Sequence, residues 1–161
     1  YPHLRTEPIR GNVETRMGKV DAGLFDATLL AEAGLTRLDM KDVTRYPISE
    51  EIIVPAPGQA AIAVQTRDED GELQTLLQQI HDAKTEREVT IERSLLKRLG
   101  GGCALPLGCV CHIEGEMAEL RVFYANASGT EHYLATHRTP LSDIDTLLSQ
   151  LIEHLQHITT A

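Results

Sequence analysis

Between Leu99 and Cys111 the chain reads LGGGCALPLGCVC, and this segment contains all three of its cysteines. Thiols gathered in one place suggest a metal site, a disulfide, a reactive nucleophile or simple packing. A zinc site would draw on Cys103, Cys109, Cys111 and His112. Their C-x5-C-x-C-H spacing lacks the paired C-x2-C knuckles of most structural zinc sites, so no metal is expected. Cys109 and Cys111 alternate along a run with strand character and so share one face of it, which is the pattern of two small buried residues. Cys103 differs in kind. It follows three glycines just past a helix pattern, on a loop where a bulky group could approach the backbone.

Two further constellations could bind a ligand. In IRGNVETR, Arg10 leaves an extended segment where Asn12 can cap a helix, and Arg16 falls one turn into that helix. Open N–H groups at a helix start, flanked by guanidinium forks, suit a carboxylate or a phosphate. The same spacing also fits an ordinary capped surface helix. In PAPGQAA, Gly58 permits a tight turn and Gln59 carries an amide that could meet a ligand or cap a strand.

The bulk properties limit the function classes. The chain has 161 residues, 42% hydrophobic and 24% charged, as expected of a soluble globular protein. It contains no apolar run long enough to span a membrane and no secretory signal pattern at its start. With an odd cysteine count, this predicts a reducing, cytoplasmic location. A net charge of -9 argues against nucleic-acid binding. Charges balance over residues 1–45 and the acidic excess lies downstream, so an anionic ligand is expected at the first part. The chain lacks an initiator Met, which suggests that an upstream portion is missing.

The elements that must position these residues follow from periodicity. Val13, Met17 and Val20 predict a helix started by Asn12 and stopped at Gly23. The apolar run between Gly23 and Gly34 predicts a buried strand, and GLTRLDM a short helix, together an α/β alternation. Strands are also expected at Ile52–Val54 and Ala60–Thr66, around the Pro55, Pro57 and Gly58 punctuation. Helices are expected over Glu69–Ile80 and Thr85–Leu99. In the second, Val89, Leu95, Leu96 and Leu99 form the apolar stripe, with Glu86, Arg87, Glu92, Arg93 and Lys97 mostly outside it. PLGCVCHI, AELRVFYANA and HYLATHR predict three antiparallel strands with turns at Glu114–Gly115 and Ser128–Gly129. A closing amphipathic helix runs from Asp143 to His157. There is no internal repeat and no low-complexity tract.

Three segments, IRGNVETRMGKVDAGLFDATLLAEAGLTRL, PAPGQAAIAV and ERSLLKRLGGGCALPLG, resemble the consecutive signature segments of the porphobilinogen deaminases, also called hydroxymethylbilane synthases. Their order and separation match over essentially the whole chain. The resemblance implies a transferase of tetrapyrrole and heme biosynthesis. It joins four porphobilinogen units head to tail with release of ammonia, on a dipyrromethane cofactor. It also implies an α/β plus α+β fold. Residues 1–54 would be the end of a periplasmic-binding-protein-like α/β domain, residues 55–80 a crossing segment belonging to the first domain, and residues 81–161 a third domain. That third domain would hold a three-stranded antiparallel sheet and helices.

By the same resemblance Cys103 is the thioether anchor of the cofactor. Arg10, Gly11, Asn12, Arg16, Leu30 and Ala31 match cofactor-binding positions, and Arg37 and Gln59 match substrate-binding ones. The arginines would meet the acetates and propionates of porphobilinogen and of the growing linear pyrrole chain. The family's catalytic aspartate has no counterpart here and is expected upstream, so the chain resembles a C-terminal half that is inactive alone and monomeric when full length. Ala60 departs from the family, which usually has glycine after the glutamine. The rival reading is a non-catalytic α/β anion-binding module, which would have no use for Cys103.

Overall fold

The computed structural model describes residues 3–102 and 105–159, and divides into two compact units, Tyr1–Pro47 and Ile48–Ala161. In the first unit, helix α1 (Val13–Asp21) begins at Asn12, whose Oδ1 accepts the Thr15 N–H at 2.8 Å. It ends in a Schellman motif: Gly23, at φ +70°, donates to Val20 O, and Leu24 donates to Lys19 O. Helix α2 (Glu32–Arg37) lies beside α1, with Gly34 close enough that a β-carbon there would sit 3.5 Å from a Val13 methyl. Among the described residues Leu35 is the buried side chain of this unit, and Leu24 and Leu29 are exposed.

The strand expected between Gly23 and Gly34 is not formed. Residues 24–31 are irregular, and among the described residues this unit contains no strand with which they could pair. An apolar run becomes a strand only when another backbone takes up its N–H and C=O groups.

The second unit opens with an irregular stretch, 48–70, and then α3 (Gly71–Leu77), a 3-10 turn (Gln78–Ile80) and α4 (Ala83–Arg98). Strands β1 (Leu107–Glu114), β2 (Met117–Ala125) and β3 (His132–Pro140) form an antiparallel sheet in the order β1-β2-β3. Gly115, at φ +58°, makes the two-residue hairpin between the first two strands, as its sequence predicts. A 3-10 turn (Leu141–Asp143) leads into α5 (Ile144–Thr159).

The core lies between the sheet and its two helices. Leu107, Cys109, Cys111 and Ile113 face it from β1, and Ala118, Leu120, Val122 and Tyr124 from β2. Ile91 and Leu95 of α4 and Leu148, Leu151 and Leu155 of α5 close it. Arg98 of α4 and Asp145 of α5 form an ion pair at the helix ends. The α+β sheet and helices of this half are those expected. The strands expected at Ile52–Val54 and Ala60–Thr66 are absent, and the backbone there is irregular. Among the described residues no backbone is aligned with either stretch to complete a ladder.

Candidate functional site

Three of the expected site residues are arginines of the first unit. Arg10 and Arg37 are exposed and Arg16 is half-buried. None of the three takes part in an ion pair among the described residues, whereas Arg45, in the same unit, pairs with Glu32 at 3.0 Å. Arg16 Nε donates to Gly11 O at 2.8 Å, and Lys19 Nζ donates to Arg10 O at 2.9 Å. These bonds hold the Arg10–Asn12 segment onto the first turns of α1 and, among the described residues, leave the terminal guanidinium nitrogens of Arg16 open. Gly11 is glycine for a reason: its φ is +126°, and a β-carbon there would meet Thr15 at 2.6 Å. Asn12 spends its carbonyl oxygen on the helix cap. Leu30 precedes Ala31, which is the N-cap position of α2, and Arg37 ends the same helix. Local structure thus gathers Arg10, Gly11, Asn12 and Arg16 at one helix start, and Leu30, Ala31 and Arg37 along another helix.

Gln59 lies in the second unit on a pair of consecutive turns. Gln59 N donates to Ala56 O at 2.9 Å, with Pro57 second and Gly58 (φ +73°) third, the type II pattern. Ala61 N then donates to Gly58 O at 3.3 Å, and Ala60, third in this turn, is held at φ +68°. Left-handed backbone costs an alanine roughly 1–2 kcal/mol. The alanine therefore occupies a conformation made for glycine, and Gln59 is exposed between two left-handed residues.

Cys103 lies outside the described residues. What flanks it is defined. The end of α4 is a second Schellman motif: Gly100 (φ +69°) donates to Lys97 O, and Gly101 donates to Leu96 O. A β-carbon on Gly101 would meet Leu105 Cδ2 at 2.5 Å and Leu105 Cβ at 3.0 Å, so a larger residue there must displace the Leu105 side chain. Leu105 N donates to Gly102 O at 3.1 Å.

The other two cysteines are packing residues. Cys109 and Cys111 are free thiols, 0% and 2% exposed in the core. Burial pushes Cys109 strongly upward and Cys111 up to about 12, with the Glu92 carboxylate nearby adding to both. Neither is a nucleophile at neutral pH.

One residue escapes the sequence reading. Glu92, expected mostly outside the apolar stripe of α4, is only 6% exposed. Its position three residues after Val89 and three before Leu95 puts it inside the stripe, and that spacing is the signal for it. β1 is an edge strand, and its outward N–H groups need acceptors. Cys109 N donates to Pro55 O at 2.8 Å, Cys111 N to Glu92 Oε1 at 2.9 Å, and Ile113 N to Glu88 Oε1 at 2.7 Å. Desolvation holds the Glu92 carboxyl above the ordinary range, against the lowering effect of its backbone donors Gly58 and Cys111.

A helix start with open arginines is suited to a carboxylate-bearing ligand. The family comparisons define the class. Residues 1–75 match the model described as "Porphobilinogen deaminase, dipyromethane cofactor binding domain", and residues 86–145 match "Porphobilinogen deaminase, C-terminal domain". The class is a transferase with a dipyrromethane cofactor-binding domain. The chain belongs to the porphobilinogen deaminase family, the hydroxymethylbilane synthases.

Proposed function

We propose that the chain supplies the carboxylate-binding and cofactor-anchoring parts of a hydroxymethylbilane synthase that condenses porphobilinogen units. The observation that carries this reading is the donor set of the first unit. Arg10, Arg16 and Arg37 have no carboxylate partner among the described residues. Acetate and propionate groups fit such forks, which bind carboxylates in bidentate fashion. The residues therefore fit a dipyrromethane, whose side chains are of this kind. Arg10 and Arg16, with Gly11, Asn12, Leu30 and Ala31, would hold it, and Cys103 would anchor it through a thioether. When bound, the cofactor supplies a pyrrole carbon as the nucleophile that primes chain growth.

In this reading Arg37 and Gln59 contact incoming porphobilinogen. Arg37 neutralises a carboxylate and Gln59 offers an amide. No acidic residue here matches the family's catalytic aspartate, so chain growth needs polypeptide beyond residues 1–161. The free, buried thiols of Cys109 and Cys111 fit a reducing, cytoplasmic setting.

The test is the intact mass of the complete reading frame after expression. A mass increase of two pyrrole units, with a colour response to an aldehyde reagent for pyrroles, is expected. Both should vanish in Cys103→Ser. An unmodified protein, or an adduct that survives Cys103→Ser, would overturn the reading.

A further inference from the structure

The turn that presents Gln59 is not held by its own residues alone. In a type II turn the N–H of the third residue points away from the turn and must find its acceptor elsewhere. Here that residue is Gly58, and its N–H donates to Glu92 Oε2 at 2.6 Å. The other oxygen of the same carboxylate takes the Cys111 N–H at 2.9 Å. One carboxylate on α4 thus ties the turn to the edge of β1.

Capping a strand edge does not by itself require so much burial. Glu88, one helical turn earlier, accepts the Ile113 N–H from a side chain that is 15% exposed and is paired with Lys84. Glu92 is the single charged residue found buried among the described residues, and it is the one that also reaches the turn. Burying a carboxylate is costly unless its oxygens are engaged, and each oxygen here has a backbone donor. The Pro57–Gly58 turn has its favoured residues, but the turn that follows holds Ala60, directly after Gln59, in an unfavourable conformation.

We propose that Glu92 is a positioning residue for Gln59: its carboxylate clamps the Gly58 N–H and thereby sets where the Gln59 amide is presented to porphobilinogen. This rests on the reading of Gln59 as a substrate contact. Glu92 itself touches neither substrate nor cofactor in this proposal.

The test is a double-variant cycle on the isotope-labelled protein expressed from the complete reading frame, read by amide spectra and by titration with porphobilinogen. Glu92→Gln keeps the side chain's shape but turns one acceptor into a donor, so it cannot satisfy both N–H groups. It should move the Gly58 and Cys111 amide signals and weaken porphobilinogen binding about tenfold, the scale of one lost hydrogen bond. Gln59→Ala should weaken binding to the same degree, and combining the two should add nothing further, because both remove the same contact. Glu88→Gln should move the Ile113 amide and leave the affinity alone. Glu92→Asp, too short to span both donors, should repeat the Glu92→Gln result should that variant fold poorly.

Losses that multiply in the double variant, or an undisturbed Gly58 amide in Glu92→Gln, would overturn the clamp alone. A chain that ignores porphobilinogen, or a Gln59→Ala variant that binds it normally, would overturn the Gln59 assignment and the clamp's purpose with it. The Gly58 signal tells the two failures apart.

Discussion

Gly108, second residue of β1, is the place where a single methyl group should do the most damage. A β-carbon there would lie 2.6 Å from Val54 O, 2.9 Å from Val54 Cβ and 3.1 Å from Val54 C. Backbone cannot swing aside as a flexible side chain can. Carbon–oxygen contacts settle at about 3.3 Å or more, so the Val54–Pro55 peptide must retreat by roughly 0.7 Å. The next carbonyl along, Pro55 O, accepts the Cys109 N–H at 2.8 Å. A retreat of that size stretches this bond to about 3.5 Å, beyond useful range. Gly108→Ala therefore adds overpacking of about 1–3 kcal/mol and strands a buried N–H at about 1–3 kcal/mol. The expected loss is about 3 kcal/mol, read as a lower urea midpoint by far-UV circular dichroism with an unchanged slope. Stability within about 0.5 kcal/mol of the original chain, the range of an innocuous substitution, would refute the reasoning that irregular backbone packs directly on this strand.

Ala60→Gly should stabilise the chain by about 0.5–1 kcal/mol, since glycine accepts φ +68° freely and its extra unfolded-state entropy offsets part of the relief. An unchanged or lowered urea midpoint would show that the turn is not strained. For Glu92 the sign follows from its raised carboxyl. The folded chain holds this proton more tightly than the unfolded chain, so the contribution is fully present below the ordinary glutamate value. It is lost as pH rises through the folded one. Stability measured across that interval should fall more steeply in the original chain than in Glu92→Gln, and parallel curves would contradict the assignment.

Helix caps, helix stops and the inward pair of cysteines were legible because their signals are local, whereas the ligand roles expected of the arginines, Gln59 and Cys103 came from the resemblance to a family. Asn12 caps α1, Gly23 and Gly100 close helices in left-handed conformations, and the alternation of residues 107–125 predicts two strands and their inward cysteines. Such features depend on residues a few positions apart, and the chain carries them wherever it is placed. The departure at Ala60, visible as an unusual residue after Gln59, becomes a physical statement once its φ is known.

What the sequence could not determine depended on partners distant along the chain. Residues 24–31 and 52–66 are apolar enough for strands, yet a strand exists only against another backbone, and none is aligned with them among the described residues. Glu92 reads as a surface charge by residue type. Only the packing of α4 against β1 and the turn at Gly58 shows that both its oxygens are occupied. By itself, then, the sequence determined that Cys109 and Cys111 share the inward face of a strand, and where helices start and stop. Tertiary structure alone decided which N–H groups at the edge of β1 would lack a neighbouring strand. It therefore decided that Pro55 O, the buried Glu92 carboxylate and Glu88 would serve them, because hydrogen-bond satisfaction is settled by what surrounds a group and not by the residues next to it in the chain.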